Sequence, residues 1–313
     1  MQKPYLIIYT GALALFLTSA LFLSSKKDTN NSPTKTTNSK SLKSHNTEQL
    51  PQVIKSIDLN RDFSFAGESL PMDNFDARER LDRELSVNSY WHSSTILNIK
   101  RTKRYFPEIE KILAKNGIPD DFKYLAVAES SLSNVSSPAG ARGIWQIMKR
   151  TGQAHGLEIN SAIDERYHLE KATKVACKIL KKYKQRFGSW TLAAAAYNIG
   201  ETKLNKIIKE QHAKSYYDLN LGSETSRYVF RIVALKEILT SPDNFGFYVE
   251  ETDKYPELDN YSTIKITHTI SDLGKFAEKY NISYRMLKIY NPWLRKATLP
   301  DKSGRVYYVK IPK

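Results

Sequence analysis

Apolar side chains that return every three or four residues constrain this chain more than any other feature in it. Between Asp120 and Ser131, Phe122, Leu125, Ala126 and Glu129 stand at i, i+3, i+4 and i+7, which is one stripe of an α-helix. Tyr105, Ile109, Ile112 and Leu113 make a second stripe, ending at Asn116-Gly117. Ala172, Val175, Ala176, Cys177, Ile179, Leu180 and Tyr183 make a third, and Val229, Ile232, Val233 and Leu235 a fourth. Such stripes are buried by packing helix on helix, so the expected fold class is mainly α. One member of the first stripe carries a charge. A carboxylate aimed at a core or cleft loses solvation, and a helix ending just past Ser131 adds its partial negative end, so both effects raise the pKa of Glu129. A general acid that holds its proton near neutral pH is made this way. The same position also suits a buried Glu paired to an Arg or Lys for structure.

The segments that follow narrow the choice. Residues 136–148, Ser-Ser-Pro-Ala-Gly-Ala-Arg-Gly-Ile-Trp-Gln-Ile-Met, read as a turn-rich loop. Its two glycines would let backbone approach a ligand, while Trp145, Gln146 and Met148 offer a wall and a hydrogen-bonding group. Trp190 precedes the run Ala193 to Ala196, then Tyr197-Asn198-Ile199-Gly200, with Gly200 expected as a helix C-terminal cap. Glu224-Thr225-Ser226-Arg227-Tyr228-Val229 comes later. In this order, Glu-Ser-Ser, Gly-Ala-Arg-Gly-Ile-Trp-Gln-Ile-Met, Ala-Tyr-Asn-Ile-Gly and Glu-Thr-Ser-Arg-Tyr-Val resemble the soluble lytic transglycosylase domain of the lysozyme superfamily. The approach segment, residues 115–125, is similar to the D branch of the membrane-bound lytic transglycosylases.

The resemblance implies a lysozyme-like all-helical catalytic domain in which Glu129 is the single catalytic acid/base. It implies that Ser130 shares the cleft, Gln146 and Met148 line a glycan groove, Tyr197 and Asn198 hydrogen-bond the carboxyl and the sugar, and Tyr228 closes the site from the far helix. Arg142 and Ser226 depart from the family pattern, Arg142 where a small or polar residue is usual and Ser226 where Arg is. The implied reaction cleaves peptidoglycan between N-acetylmuramic acid and N-acetylglucosamine and leaves a 1,6-anhydromuramyl end. A lysozyme-type hydrolase and a non-catalytic glycan-binding scaffold are the alternatives.

The chemistry can also be approached from the residues. Two-carboxylate glycosidases hold a second Asp or Glu about 5 to 9.5 Å from the first, and no acidic residue lies between Glu129 and Glu158. Asp164, Glu165, Glu201 or Glu224 could supply one from afar, although Glu224 reads as a helix-entry residue facing Arg227 or a backbone amide. One acid suffices where the substrate supplies the nucleophile. No metal or cofactor is expected: the six histidines show no ligand spacing, and the single cysteine, Cys177, lies on an apolar helix face, so no intramolecular disulfide can form.

Residues 5–23 contain no charge, and nineteen such residues suffice to span a bilayer, as an anchor or as a cleaved signal segment within residues 1–25. Residues 26–60 are rich in Ser, Thr, Asn and Lys and are expected to form a disordered polar linker. The catalytic domain is expected over 61–255, with its core at about 105–240, and the Pro256 region marks its end. Residues 273–287 look superficially like a helix-turn-helix, and the net charge of +15 invites a nucleic-acid reading. The alternating segments 264–270 and 305–312 on either side argue against it and give βααβ over 263–313. That pattern, with Asn291-Pro292 and the terminal Ile-Pro, resembles a LysM-like module, divergent in having Ile270-Ser271-Asp272 where Gly-Asp-Thr is usual. The expected partners are therefore peptidoglycan glycan strands and, through the N-terminal segment, a membrane, with no nucleic acid and no oligomer implied. The expected location is the cell envelope, on its periplasmic side.

Overall fold

The computed structural model describes residues 55–300 and 304–313; the anchor and most of the linker expected from the sequence lie outside them. The described chain is mostly helical. A short hairpin, β1 (Ser64–Phe65) and β2 (Glu68–Ser69), leads to α1 (Phe75–Tyr90), whose first amides are capped by the Asn74 side chain. α2 (His92–Lys115) follows after a bend at Trp91 and buries Ile109, Ile112 and Leu113, as the periodicity predicts. α3 (Phe122–Ser130) runs through the core, and Ser131 ends it with a left-handed backbone, φ 52°. After the loop of residues 131–148 come α4 (Lys149–Ala154), α5 (Leu169–Phe187), α6 (Trp190–Ile199), α7 (Glu201–Gln211) and α8 (Ser223–Thr240).

Three details fix the helices that matter for the site. Ala193 to Ala196 are wholly buried, so α6 lies close against its neighbours, and Gly200 caps its C-terminus. The Glu68 carboxylate on the hairpin accepts the amides of Trp190 at 2.5 Å and Thr191 at 2.9 Å. Burial opposes the charge on Glu68, yet these amides and Lys184 outweigh it and hold the carboxyl below its usual range, so a negative group sits on the positive end of α6. Phe122 packs edge-on between Phe65 at 5.0 Å and Trp190 at 5.2 Å, tying α3 to the hairpin and to α6. Leu59 is buried in the same core, two residues ahead of the boundary drawn at 61, because an apolar side chain next to the hairpin gains by burial.

The C-terminal module has β3 (Tyr261–Ile266), α9 (Leu273–Lys279), α10 (Tyr284–Tyr290) and β4 (Tyr307–Pro312). β3 and β4 pair antiparallel, with Tyr261 opposite Pro312 and Ile266 opposite Tyr307. The first strand ends four residues earlier than alternation suggests, because Ile270 leaves the ladder to pair with Leu299. The module does not hang free. Its core of Ile266, Leu273, Leu287, Trp293, Leu294 and Val309 continues into Ala162, Ile163 and Tyr167 of the helical domain. Backbone joins backbone there: Asp164 N–H donates to Trp293 O at 2.9 Å, and Arg295 N–H donates to Ala162 O at 2.7 Å. Among the described residues, no helix is long and apolar enough to cross a membrane.

Candidate active site

Glu129 occupies the last turn of α3, beside Leu125 and Ala126, which are fully buried. The residue as a whole is half-buried. Burial pushes its pKa up to about 7; the Tyr228 hydrogen bond and Arg231 pull against that shift, while Glu224 adds to it. Tyr228 comes from α8, is itself buried, and donates its hydroxyl proton to Glu129 Oε1. Burial and the neighbouring Glu129 raise the phenol far above its ordinary pKa, so it acts as a donor and not as a phenolate. The two residues are 99 positions apart in sequence and adjacent in space.

The other expected site residues divide into those that face the cleft and those that build it. Tyr197 does not bond the carboxyl; its hydroxyl donates to Trp145 O at 2.7 Å and anchors the loop to α6. Asn198 Oδ1 accepts from the Thr225 hydroxyl at 2.6 Å, joining α6 to α8. Its neighbours Ile199, Lys203, Glu224 and Thr225 wall a surface groove that Asn198 also lines. Ser130 does not reach into the cleft. Its hydroxyl donates to Ile144 O at 2.8 Å and holds the loop against the end of α3, because a buried hydroxyl takes the nearest carbonyl. Gln146 lies on the loop with φ 46° and folds its amide back onto Gly143 O at 2.7 Å, while Met148 is exposed.

Two readings of the loop are corrected. Trp145 is no wall for a ligand: it is fully buried, with its indole N–H donating to Thr173 Oγ1 at 2.8 Å. Gly143 does permit a close approach, but of the chain to itself. A Cβ there would lie 2.0 Å from Arg166 O, and φ is 79°. Arg142, half-exposed, reaches Asp164 at 3.4 Å.

Each remote carboxylate that could have served as a second acid is already engaged. Asp164 pairs with Arg166 at 2.7 Å, Glu165 with Lys171, Glu201 with Lys182 at 2.6 Å, and Glu224 with Arg231 at 3.0 Å. Reading the sequence missed Glu84 on α1, which is buried and faces Arg83, Arg231 at 3.4 Å and Arg227 at 3.7 Å. This carboxylate holds Arg231, the cation that acts on Glu129 from one turn beyond Tyr228. Its place beside Leu81 and Leu85 on a buried stripe was the available signal.

A helical domain with a carboxyl of raised pKa at the end of a core helix, joined to a small βααβ module, matches a known pairing of domains. Residues 107–220 match the family model described as Transglycosylase SLT domain, and residues 262–313 match the one described as Soluble lytic transglycosylase C-terminal LysM-like domain. Residues 107–220 are therefore assigned to an SLT transglycosylase domain and residues 262–313 to a LysM-like domain. Over 260 residues it is 30% identical to Membrane-bound lytic murein transglycosylase D of Escherichia coli, in strain K12 and in strain O6:H1, covering 80% of this chain and 55% of each relative. The chain thus spans about half the length of the curated relatives it matches. Among solved structures, the 70 kDa soluble lytic transglycosylase of Escherichia coli aligns with a TM-score of 0.39 at 20% identity, over 48% of this chain and 26% of that one.

Proposed function

We propose that this chain is a peptidoglycan lytic transglycosylase in which Glu129 is the only acid/base. The observation that carries the reading is a carboxyl with a pKa of about 7 whose hydrogen-bond partner is a neutral phenol and not a cation. Such a group is half protonated at neutral pH and can both give and accept a proton. Glu129 protonates the oxygen linking N-acetylmuramic acid to N-acetylglucosamine, and the C1–O bond breaks as the 2-acetamido group supports the developing cation. The ionised Glu129 then takes the proton from the muramyl 6-hydroxyl as that oxygen bonds to C1 and closes the 1,6-anhydro ring. The proton returns to Glu129, and no water is consumed. Tyr228 steadies the ionised form, Gln146 and Met148 flank the glycan, and Asn198 meets the sugar at the point of cleavage. Tyr197 and Ser130 act behind them by holding the loop.

The same reading assigns residues 26–54 to a tether, the chain from Lys55 to residue 255, with Leu59 in its core, to the catalytic domain and 263–313 to a glycan-strand contact. It places the enzyme in the cell envelope on the periplasmic side, held by residues 5–23, in keeping with the membrane-bound relatives. The test is a mass spectrum of soluble products from peptidoglycan sacculi, with Glu129→Gln alongside. Products about 18 Da lighter than their hydrated counterparts are expected from a cleavage that adds no water, and none from the variant. Reducing ends would instead mean a hydrolase, and tight binding without products would mean a glycan-binding scaffold.

A further inference from the structure

One surface of the helical domain is left unused by the site, and it lies at the bend between α1 and α2. Trp91 at the bend is 61% exposed and Tyr248 beside it 80% exposed. Val87, Tyr90, Ile96 and Leu97 lie within about two turns of the bend and are exposed as well. Ring contacts bring its two segments together: Tyr90 meets His92 at 6.2 Å, and His92 meets the buried Phe247, next to Tyr248, at 6.0 Å. It is also rigid, since Ile99, Ile238 and Phe247 form a buried cluster beneath it. Apolar residues scattered singly over a surface are ordinary, but a contiguous set marks something that covers it.

The entry of the chain indicates what does. The Lys55 amide donates to the Tyr90 hydroxyl at 2.9 Å, and that hydroxyl donates to Lys55 O at 2.7 Å. The first described residue therefore lies at this bend, and the uncharged run 5–23 precedes it in the sequence. Exposed Lys55 and half-exposed Lys100 lie on the rim near the bend, while beyond Tyr248 the exposed Glu251 is paired with Lys103 and Lys254.

We propose that the α1–α2 bend rests on the surface of an anionic bilayer, with Tyr90, Trp91 and Tyr248 at the level of the headgroups. Trp and Tyr favour that zone because one end of the ring system is apolar and the other hydrogen-bonds, and lysines nearby are drawn to anionic lipid. The proposal rests on residues 5–23 entering the bilayer and is independent of the catalytic reading. It carries a consequence for geometry. α8 runs from Tyr228, at Glu129, to Ile238, beneath the bend, and ten residues of helix span about 15 Å. A docked bend would thus hold the cleft at the far end of α8, close above the lipid, although residues 24–54 fully extended could reach about 100 Å.

The test is tryptophan fluorescence of the full chain reconstituted in phosphatidylethanolamine–phosphatidylglycerol vesicles whose acyl chains carry bromine as a quencher. Of the four tryptophans, Trp145 and Trp293 are buried and Trp190 is packed on the core, so lipid quenching reports Trp91. The expected result is strong quenching in the wild type and its loss in Trp91→Phe, which still floats with the vesicles and still turns over soluble fragments. Quenching should also weaken severalfold when phosphatidylcholine replaces phosphatidylglycerol. Three results would overturn the proposal: flotation without quenching, equal quenching in Trp91→Phe, or a bend shielded from aqueous acrylamide but not quenched by lipid, which would mean that protein covers it. A wild type that fails to float removes both the docking and the anchor, and leaves the transglycosylase reading standing.

Discussion

Replacing Tyr228 by Phe removes one hydroxyl and leaves the packing of a buried ring in place. That hydroxyl donates to Glu129, and the bond favours the ionised carboxyl. A hydrogen bond to a charged group is worth about 1.5 to 3 kcal/mol. The protonated carboxyl can still accept it through its carbonyl oxygen, so the part that distinguishes the two forms is about 1.4 kcal/mol, a factor of ten. Losing it raises the Glu129 pKa, which moves the basic limb of the activity profile from about 7 to roughly 8. The variant should lose several-fold in its plateau rate, because the carboxyl is less well held. At pH 8, however, it should keep roughly half of its own plateau, where the wild type keeps about a tenth. Initial rates on soluble peptidoglycan fragments between pH 5 and 9 measure this. Tyr197→Phe is the control: its hydroxyl serves Trp145 O, so the limb should stay while stability falls by about 1 kcal/mol. A limb in Tyr228→Phe that stays put or moves to lower pH refutes the argument, since the limb would then not belong to Glu129.

Two further substitutions test the fold around the acid. Glu129 has a pKa of about 7 in place of 4.5; a carboxyl raised on folding stabilises the native state at low pH, and that contribution is lost as pH climbs from 4.5 through 7. Glu129→Gln cannot ionise, so between pH 5 and pH 8 the wild type should lose about 2 to 3 kcal/mol relative to it, read from urea unfolding at each pH; parallel pH dependences would show that the carboxyl is not strained. Gly143→Ala puts a Cβ against Arg166 O at a positive φ and should cost about 3 kcal/mol or more, and a loss below about 1 kcal/mol would mean that the loop yields easily.

The helical half was legible in the sequence because burial leaves a period, and the stripes through Ile109, Leu125, Ile179 and Val229 all point into one core. Glu129 stood out as a charge on such a stripe. A period tells which face is covered and not what covers it, so the use of each polar group was harder to read. Ser130 and Tyr197 carry hydroxyls suited to a substrate, yet each is spent on a loop carbonyl that would otherwise be buried without a donor. Trp145 followed a glycine, as a ligand wall might, but its indole N–H found Thr173 inside the core. Glu84 lies in no motif, and although its place on a buried stripe was a signal, its partner Arg231 became visible only when α1 and α8 were brought together.

The seam between the two domains was the least legible part, and it alters how the module can be tested. Sequence puts the end of the helical domain near Pro256, which suggests that residues 263–313 could be removed without harm. In the fold, Glu158 is buried and receives Arg305 at 2.9 Å and the Tyr307 hydroxyl at 3.0 Å, both from the module. Although burial opposes its charge, His168 at 2.9 Å and the module's Lys310 keep the Glu170 carboxyl well below its usual range. Trp293 stacks on His168 and on Tyr307, and the buried Ile163 pairs with Leu294 in a β-bridge. Removing the module takes these partners away and bares apolar surface, at a cost of about 25 cal/mol per Å². A chain ending at residue 262 should therefore melt well below the full chain or fail to fold, and loss of peptidoglycan retention in it would say nothing about glycan binding. If it melts at the temperature of the intact protein, the module is a separable passenger and the coupling argued from Glu158 and Glu170 is wrong. Glu158→Gln keeps the module and weakens only its attachment, so it should lower the melting temperature while leaving the expected acid/base, Glu129, untouched.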